Sequence, residues 1–396
     1  MSCAAAKHVD VAIVGAGISG LVCAAALQAQ HSVAVLEARP RLGGRLLSPL
    51  GVDLGASWSW PPHDRRVGAL ARRLGIAPLD QRLDGEAFAS VGDGRARSVG
   101  DAGSQMAPCG PGAVRYRGGY QTLPRSLAAT LPDGSLRLGC RVVSVSKYQN
   151  GEEGEEGGGV EIAYTPPGGG EPERLTARRV VLALPPGVGA ATIRFEPPLP
   201  EQKLRKMAST ATWCGDWCKV VASFRTPFWR ARGASGVVSA DGPIQIWWEG
   251  ASGAETREER VALVGLGVGK GCLPLAPLQV ADDGAAAGDE EDPSTVVPAE
   301  TPAALKALVL AALGPAYGVA VVEEQLTNAW VKTWIADDLT YASAGRHREY
   351  GHPLLQESLP WGVHFAGTET EPENGHVEGA IAAGERAARE VMEALG

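Results

Sequence analysis

Three glycines and one glutamate near the start of the chain have the residue types and the spacing that bind a dinucleotide. Gly15, Gly17 and Gly20 form a GxGxxG pattern, and Glu37 follows roughly 20 residues later. Glycine at the first position allows a tight turn, at the second lets the backbone approach a pyrophosphate, and at the third lets a helix pack closely on a strand. A carboxylate at Glu37 can accept hydrogen bonds from ribose hydroxyl groups. These residues predict nucleotide binding and leave NAD and FAD equally open.

The surrounding residues predict the strand–helix–strand unit that must position these groups. Val11, Ile13 and Val14 form a short apolar strand of the kind that is buried in a parallel sheet. An apolar helical run then extends to about Gln30, and a second strand covers residues 32–37. The start of that helix would present free N–H groups and the positive end of its dipole to the phosphates. The alternative is a glycine-rich turn in another kind of α/β protein.

Lys219 is the second candidate for chemistry, because it lies in an apolar strand, residues 218–224, with few other polar groups. Burial of an ammonium group is costly unless the group is used, and desolvation lowers the pKa of a lysine. One interpretation is therefore a functional lysine inside a site. The other is a lysine on an edge strand that points to solvent and discourages aggregation.

The length and composition indicate a globular protein with two domains. The 396 residues exceed the usual size of a single core, and 44% hydrophobic and 21% charged residues are ordinary for a globular chain. The net charge of -8 gives no electrostatic support for a nucleic-acid partner. No run approaches ~18 apolar residues, so we expect no membrane span. The first strand begins by Val9, which leaves no room for a signal peptide.

The cysteines predict reduced thiols rather than disulfides or a metal site. Their number, seven, is odd, no CxxC pair occurs, and no cysteine or histidine partners stand at metal-ligand spacing. We therefore expect an intracellular protein, located in the cytoplasm, without a bound metal.

Hydrophobic periodicity predicts further elements along the chain. Helices are predicted at residues 66–74, 201–208, 302–313 and 376–395, and strands at 178–184, 217–224, 261–268, 319–323 and 361–366, with two more inside 235–248. Strands within 136–147 and 160–164 would form a hairpin. Residues 80–117 show little periodic signal. Two acidic, low-complexity stretches, 150–159 and 281–293, have the composition of solvated loops.

Several separated motifs together resemble one protein family. They are residues 11–20, 36–45, 53–58, 118–119 with 123–124, 181–186, 196–200, Lys219, 227–229, 365–370 and 377–381. In this order, over nearly the whole chain, they are similar to the motifs of the flavin-containing amine oxidases, which are the monoamine and polyamine oxidases. Gly43, Gly44 and Arg45, read with the distant segment 365–381, shift the choice of dinucleotide to FAD by this resemblance.

The resemblance implies a discontinuous FAD-binding domain. Its fold would be α/β, Rossmann-like, doubly wound and similar to glutathione reductase, built from residues 1–79, 118–208 and 336–396. A substrate domain of the α+β class, on a mixed or antiparallel sheet, would comprise residues 80–117 and 209–335. The first sheet would open with the first strand of the chain and be completed only near residue 366.

The resemblance also implies which residues hold FAD. Arg45 would meet the pyrophosphate, Arg39 would lie beside the ribose, and Val142 would contact the adenine through its backbone. The flavin ring would lie against residues 56–58, with Trp334 packed on it or, alternatively, in the core. The full set of expected cofactor-binding residues is Gly15, Gly17, Ile18, Ser19, Gly20, Glu37, Ala38, Arg39, Gly44, Arg45, Gly55, Ala56, Ser57, Trp58, Val142, Trp334, Gly367, Thr368, Glu369, His376 and Val377.

By the same resemblance Lys219 is the expected catalytic residue. In the family, a lysine before the Pro-Phe-Trp motif holds a water near flavin N5, so Lys219 would assist the reaction of the reduced flavin with dioxygen. The expected substrate-binding residues are Trp60, Trp247, Trp334 and His376, with Trp58 and Trp248 nearby.

The sequence departs from the family pattern in three places. Residues 339–344 contain no cysteine, where some members attach the flavin, so FAD would be bound non-covalently. Ala344 and His376 stand where the monoamine oxidases have two aromatic rings facing the flavin, so that cage would be absent or rebuilt. His376 would then bind the substrate through a hydrogen bond, or else cap a helix or lie at the surface. The stretch from Leu79 to Gly118 is too short for the family's long helical segment, so the pocket would be more open.

The leading hypothesis is therefore an FAD-dependent amine oxidase. A primary or secondary amine, or a polyamine, would be oxidised at its C–N bond to an imine, which water hydrolyses to an aldehyde, and dioxygen would be reduced to hydrogen peroxide. Asp337 and Asp338 would suit a polyamine at the mouth of the pocket. The alternatives are an FAD oxidoreductase with a non-amine substrate and a flavoprotein that binds a partner without catalysis. The sequence leaves a monomer and a homodimer both open.

Overall fold

The computed structural model describes residues 8–101, 103–149, 158–252, 261–280, 300–341, 349–372 and 375–396. Most of the first predicted solvated loop and all of the second lie outside these residues. Ala344, the expected counterpart of one aromatic ring, also lies outside them. In the described part of the chain, no helix is both long enough and apolar enough to cross a membrane.

Strands and helices are distributed along the whole described chain. The strands are β1 (His8–Val14), β2 (Val33–Leu36), β3 (Pro78–Asp80), β4 (Glu86–Gly92), β5 (Arg95–Ser98), β6 (Val114–Tyr116), β7 (Leu136–Arg137), β8 (Arg141–Gln149), β9 (Gly158–Thr165), β10 (Glu173–Ala183), β11 (Arg194–Glu196), β12 (Trp217–Phe224), β13 (Ala234–Ser239), β14 (Ile246–Ser252), β15 (Val261–Val268), β16 (Leu326–Thr333) and β17 (Val363–Ala366). The α-helices are α1 (Ile18–Leu27), α2 (Arg65–Arg73), α3 (Gly103–Met106), α4 (Thr122–Ala128), α5 (Pro186–Thr192), α6 (Glu201–Ser209), α7 (Phe228–Ala231), α8 (Ala303–Tyr317), α9 (Val319–Gln325), α10 (Pro353–Gln356) and α11 (Val377–Leu395).

The predicted strand–helix–strand unit belongs to an eight-stranded sheet with the order β11-β8-β9-β10-β1-β2-β7, in which β17 also pairs with β10. β1 pairs in parallel with both β2 and β10, and its apolar residues are buried. Because β17 pairs with β10 from Val363 to Ala366, the sheet combines strands from both ends of the chain, as predicted. The antiparallel pairing of β8 with β9 confirms the predicted hairpin.

A second sheet has seven strands in the order β16-β12-β15-β14-β13-β4-β5. Its pairings are antiparallel except that of β13 with β4, so the predicted mixed sheet is present. One face packs against α8, where Val309 and Leu313 share a core with Trp247. On the opposite face, Trp248 and Trp330 pack against Leu47, Val52 and Leu54, which lie in the segment after β2. All seven strands lie inside the segments predicted for the substrate domain, and the domain boundaries themselves remain a prediction.

The predicted strand at residues 319–323 is wrong. Val319–Gln325 form helix α9, and the strand β16 begins only afterwards. β-Branched residues favour strands, but Val319 is 54% exposed and Val322 is the residue of this helix that is buried. The apolar run therefore does not have the two buried faces of an inner strand. Residues 80–117, which gave little periodic signal, contain β4 and β5 at one edge of the second sheet.

Helices α1 and α11 cross closely beside the first sheet. Gly384 of α11 faces α1, because a Cβ built at Gly384 would lie 2.4 Å from the carbonyl oxygen of Ser19 and 3.1 Å from Cβ of Val22. A side chain as small as a methyl group would thus force the two helices apart. This crossing matters for the site, since the N-terminus of α1 borders the predicted phosphate position.

We expect Gly384→Ala to lower the free energy of unfolding by about 1–3 kcal/mol, the usual cost of an added methyl group in a closely packed contact. The matched control is Gly68→Ala inside α2, where a built Cβ meets no atom within 4 Å. That change should raise the free energy of unfolding by about 0.4–1 kcal/mol, since alanine restricts the unfolded chain more than glycine does. Denaturant titration of both variants measures the difference, and equal effects would contradict the close crossing.

Candidate active site

A cavity of about 440 Å³ begins at the C-terminal ends of β1, β2 and β10 and extends to β12 of the second sheet. Val14, Leu36 and Ala183 line it at the strand ends, and Lys219 lines it from the second sheet. Ligands of doubly wound sheets bind at such strand ends. The cavity therefore joins the predicted nucleotide site and the predicted catalytic lysine in one space.

Most of the residues predicted from sequence line this cavity, although they are far apart in the chain. The predicted residues in its wall are Gly15, Gly17, Ile18, Ser19, Glu37, Ala38, Arg39, Gly44, Arg45, Gly55, Ala56, Ser57, Trp58, Trp60, Val142, Lys219, Trp334, Gly367, Thr368, His376 and Val377. Three predicted residues, Gly20, Trp247 and Glu369, do not line it. What the lining residues bind stays a prediction.

The glycine-rich turn has the geometry that a bound phosphate requires. Gly15 has φ of +107°, and a Cβ there would lie 2.6 Å from the carbonyl oxygen of Ala183. A Cβ built at Gly17 would meet no protein atom within 4 Å, so this position faces open space. Helix α1 begins at the next residue, and no side chain caps its N-terminus. Its first N–H groups are therefore available to an anion in the cavity.

Gly20 serves packing rather than the cavity. A Cβ at this position would lie 2.0 Å from the carbonyl oxygen of Gly15 and 3.2 Å from Cγ2 of Ile13. Only glycine allows α1 to lie this close to β1 and the turn. Its predicted role in helix–strand packing fits this geometry, while its inclusion among residues in contact with the cofactor does not.

Glu37 is fixed beside the cavity by two backbone donors. Its Oε2 accepts a hydrogen bond from the N–H of Ala16 at 2.8 Å, and its Oε1 accepts one from the N–H of Arg39 at 2.9 Å. Each carboxylate oxygen has a further lone pair. The carboxylate can thus accept a hydrogen bond from a ribose hydroxyl without moving.

Arg39 is anchored by acids from the other end of the chain. Its Nη2 donates to Oδ1 of Asp337 at 2.6 Å, and Nζ of Lys332 lies 2.8 Å from Oδ2 of the same carboxylate. Asp337 is buried between these two cations and is absent from the cavity wall. The side chain of Asp338 is 78% exposed and also lies outside the wall. Asp337 therefore does not stand at the mouth of the pocket. Oδ2 of Asp338 lies 3.7 Å from Nη2 of Arg141 in the cavity wall, and its expected role stays a prediction.

Glu369 acts on Arg45 rather than on the cavity. Its carboxylate accepts two hydrogen bonds from Arg45, at 2.8 and 3.2 Å, and a third from the N–H of Trp213 at 3.1 Å. The side chain is fully buried behind these partners. Glu369 was predicted to contact the cofactor, and the structure instead gives it the position of a group that orients Arg45.

Lys219 is in the interior of the second sheet. Its strand β12 lies between β15 and β16, and the residue is 3% exposed. The alternative of an edge lysine pointing to solvent is therefore wrong. The Nζ atom donates to the carbonyl oxygen of Gly55 at 2.5 Å and to Oγ of Ser57 at 2.6 Å. The ammonium group thus meets the loop that leads to Trp58.

Burial lowers the pKa of Lys219 to about 8, and the negative charge of Asp53 partly opposes this shift. The indole rings of Trp58 and Trp248 lie 5.6 and 5.5 Å from Nζ. Burial raises the pKa of Asp53, while hydrogen bonds from Ser48 and the backbone of Tyr120 oppose that change. At neutral pH the lysine is a cation in an aromatic surrounding of low polarity.

Aromatic rings form the far end of the cavity from the glycine-rich turn. The imidazole of His376 stacks on Trp60, with ring centroids 5.8 Å apart, and meets Trp213 edge-on at 5.1 Å. Trp213 was not predicted, because it lies in an irregular segment between α6 and β12 that has no periodic signal. In the structure Gly375 makes room for this ring, since a Cβ there would lie 2.6 Å from Trp213, but nothing in the sequence links the two positions.

Trp247 is not a substrate-binding residue in this structure. Successive side chains of a strand point to opposite faces of its sheet, and on β14 Trp248 is the one that faces Trp58, with ring centroids 4.7 Å apart. Trp247 points the other way, into the core beneath α8, and packs over Gly265 of the neighbouring strand. Trp334 does line the cavity, and its Nε1 donates to the carbonyl oxygen of Leu54 at 2.9 Å.

Comparison with family models gives two matches. A model described as flavin containing amine oxidoreductase matches residues 84–392. A model described as NAD(P)-binding Rossmann-like domain matches residues 13–74. The two together cover nearly all of the described chain, and the second confirms the predicted Rossmann-like fold of the first segment.

Curated relatives have related names. The human protein "Amine oxidase [flavin-containing] B" is 29% identical over 232 residues, which is 57% of this chain and 39% of that protein. "Putative flavin-containing monoamine oxidase AofH" of Mycobacterium tuberculosis is 26% identical over an alignment of 478 residues, gaps included, which covers 98% of this chain and 97% of that protein. Putrescine oxidase of Kocuria rosea is 28% identical over an alignment of 325 residues, gaps included, which covers 57% of this chain and 66% of that protein.

Solved structures share the fold over almost the whole chain. Wild-type putrescine oxidase bound to putrescine superposes with a TM-score of 0.70 at 21% identity, covering 98% of this chain and 99% of that one. Cyclohexylamine oxidase from Brevibacterium oxydans IH-35A gives a TM-score of 0.68 at 19% identity and the same coverage. At these identities the likeness establishes the fold alone, and it agrees with the predicted two-sheet architecture.

Proposed function

The chain belongs to the flavin containing amine oxidoreductase family, and from this membership we propose that it is an FAD-dependent amine oxidase. One observation carries the proposal. A single cavity joins a dinucleotide-type glycine turn to Lys219, a buried lysine whose Nζ contacts Gly55 and Ser57 in the cavity wall. A desolvated lysine in a cavity, next to a nucleotide-type turn, is typical of a functional site.

FAD is the cofactor that we propose, and the residues present fit it. The open space over Gly17 and the uncapped start of α1 suit a pyrophosphate. Arg45, held by Glu369, brings a positive charge to the same cavity. The fixed carboxylate of Glu37 suits the ribose. When bound, FAD would supply the two-electron chemistry, which is acceptance of a hydride from the amine carbon and reduction of dioxygen, with two protons, to hydrogen peroxide.

The residues of the aromatic end would bind and orient the amine. Trp60, Trp213 and His376 form walls that exclude water, and a cavity of low polarity favours the neutral form of an amine. A neutral amine has the nitrogen lone pair that assists loss of hydride from the adjacent carbon. The imine that results would be hydrolysed by water to an aldehyde and ammonia or a smaller amine.

We propose that the substrate is a monoamine with an apolar substituent. Among the described residues that line the cavity, Glu37 is the one with a carboxylate, and it lies at the nucleotide end. A polyamine would bring a second ammonium group to the aromatic end, where the described wall offers no acid to pair with it. Asp337, the expected partner, is already paired with Arg39 and Lys332.

Anaerobic mixing of the holoprotein with amines tests the proposed activity. We expect benzylamine or hexylamine to bleach the flavin absorbance, and putrescine to do so more slowly at equal concentration. Readmission of air should restore the absorbance and release hydrogen peroxide. If no amine bleached the flavin, the proposal would fail. Rapid reduction by a dihydronicotinamide with slow reoxidation in air would instead favour the non-amine oxidoreductase, and no reduction by either would favour a flavoprotein without catalysis.

Lys219 is the residue that we propose for the reaction with dioxygen. Its ammonium would stabilise negative charge that develops on oxygen, so Lys219→Met should slow reoxidation by at least about tenfold, the effect of removing one positioned donor. Stopped-flow mixing of the reduced protein with dissolved oxygen measures the rate. The matched control is Lys203→Met, because burial also lowers the pKa of Lys203 to about 8, yet this lysine lies outside the cavity wall. Equal rates for Lys219→Met and the wild type would refute the role.

We also propose that FAD is bound without a covalent link. The segment 339–344, where some members attach the flavin, contains no cysteine. Precipitation of the holoprotein with acid should leave all of the yellow chromophore in the supernatant. Flavin that stays with the protein would contradict the proposal and would point to Cys140 or Cys214, the thiols that line the cavity.

The cellular location and the oligomeric state stay predictions. A cytoplasmic location rests on the expectation of reduced thiols, and the six described cysteines form no disulfide. Cell fractionation and light scattering would measure the location and the mass of the assembly.

A further inference from the structure

The imidazole of His376 is fixed at the wall of the cavity by its surroundings. It lies between the Trp60 ring, on which it stacks, and the Trp213 ring, which it meets edge-on. Its carbonyl oxygen accepts a hydrogen bond from Oγ1 of Thr368 at 2.7 Å, and α11 begins at the next residue. The ring is therefore held where a ligand at the aromatic end would meet it.

Asp64 lies next to this stack and does not cap helix α2, because Glu378 accepts the hydrogen bonds at the start of that helix. By position Asp64 would cap α2, but its side chain makes no capping hydrogen bond. The N–H groups at the start of α2 donate instead to Glu378 of α11, both at 3.0 Å. Oδ2 of Asp64 accepts a hydrogen bond from the backbone N–H of Trp60 at 2.8 Å. The carboxylate therefore contacts the backbone of the residue on whose ring His376 stacks.

The charged groups Glu378, Arg45 and Glu369 near the ring form hydrogen bonds or ion pairs with other residues. Glu378 is held by the start of α2, and Arg45 and Glu369 pair with each other behind Trp213. His63 lies near Asp64 on the side of α2. Among the described residues that line the cavity, His376 is the one histidine. Lys219, whose pKa burial lowers to about 8, is a cation at neutral pH, so His376 is the base in this wall that is neutral and can take up a proton.

We propose that His376 accepts a proton from the substrate ammonium, and that Asp64 is a positioning residue that sets the basicity of this imidazole. The step is a simple proton transfer: the N–H bond of the ammonium breaks, a new N–H bond forms on the imidazole, and the amine keeps the lone pair. No other reactant is needed. The inference rests on the proposed amine oxidation and adds a residue for its first step.

The energetics of the two groups support this transfer. An alkylamine has a pKa near that of lysine, about 10.4, so it arrives protonated, but the aromatic walls disfavour its charge. Burial lowers the pKa of His376 below its ordinary value, which keeps the ring neutral and able to accept. The negative charge of Asp64 opposes that lowering and stabilises the imidazolium that forms. Desolvation of the ammonium and the charge of Asp64 thus both favour the transfer, while burial of the imidazole opposes it.

The pH dependence of kcat/KM for a monoamine tests the inference. In the wild type the ammonium form is productive, so kcat/KM should be nearly constant between pH 7 and pH 9. In His376→Phe, which keeps an aromatic ring between the two tryptophans, only amine that is already neutral can react. Its kcat/KM should then rise about tenfold for each pH unit and be about 100-fold lower at pH 7 than at pH 9. Profiles of the same shape in both proteins would overturn the inference.

Asp64→Asn gives a second test that does not depend on turnover. The NMR titration of the His376 ring, assigned by its absence in His376→Phe, should move to lower pH, because the charge that raises its pKa is gone. Asp338→Asn is the control, since this exposed acid lies outside the cavity wall, and it should leave the titration unchanged. A titration that Asp64→Asn leaves in place would overturn the role of Asp64. If no amine reduces the wild type, the proposed function fails and this inference with it; reduction with unchanged profiles refutes this inference alone.

Discussion

The buried ammonium group of Lys219 is the interaction on which the arrangement of the site depends. A charge that is 3% exposed requires oxygen partners, and both come from one loop, at Gly55 and Ser57. Because β12 lies in the interior of the second sheet, these two hydrogen bonds join that sheet to a segment that lines the cavity from the other side. The position of Trp58, the next residue after Ser57, follows from them. The lysine and the loop therefore form one structural unit, and a change in either displaces the other.

The remaining charges around the cavity are organised by the same rule, that a buried ion needs a partner. Arg39 is paired with Asp337, and Arg45 with Glu369, so these two arginines, which follow β2, each meet an acid from the C-terminal third of the chain. These pairs fix the arginines at the nucleotide end before any ligand is present. Because Asp337 and Glu369 are used in these pairs and do not line the cavity, the described wall at the aromatic end contains no carboxylate. Tight organisation of the nucleotide end and an apolar substrate end are thus two results of one pairing pattern.

The residues that sequence reasoning located well are those whose chemistry is local in the chain. A glycine turn, a strand and an acid at a fixed spacing are positioned by one strand–helix–strand unit, so the pattern was sufficient. The prediction for Trp247 was wrong because neighbouring residues of a strand point to opposite faces of the sheet. In a continuous apolar strand the sequence does not show which of the two tryptophans faces the cavity. Glu369 lies in the right segment, but its partner is 324 positions away. Trp213 belongs to an irregular segment, and residues 319–325 formed a helix despite their β-branched side chains.

His376 combines the packing of an aromatic ring with the chemistry of an imidazole. Its ring stacks on Trp60 and meets Trp213 edge-on, contacts that any aromatic side chain can make. It also adds a site for one proton, which a hydrocarbon ring lacks. The arginines near the cavity keep their charge near neutral pH, because a guanidinium group is not deprotonated in proteins. Two groups of the cavity wall can therefore change charge: acid adds a positive charge to His376, and base removes the positive charge of Lys219, whose pKa is about 8.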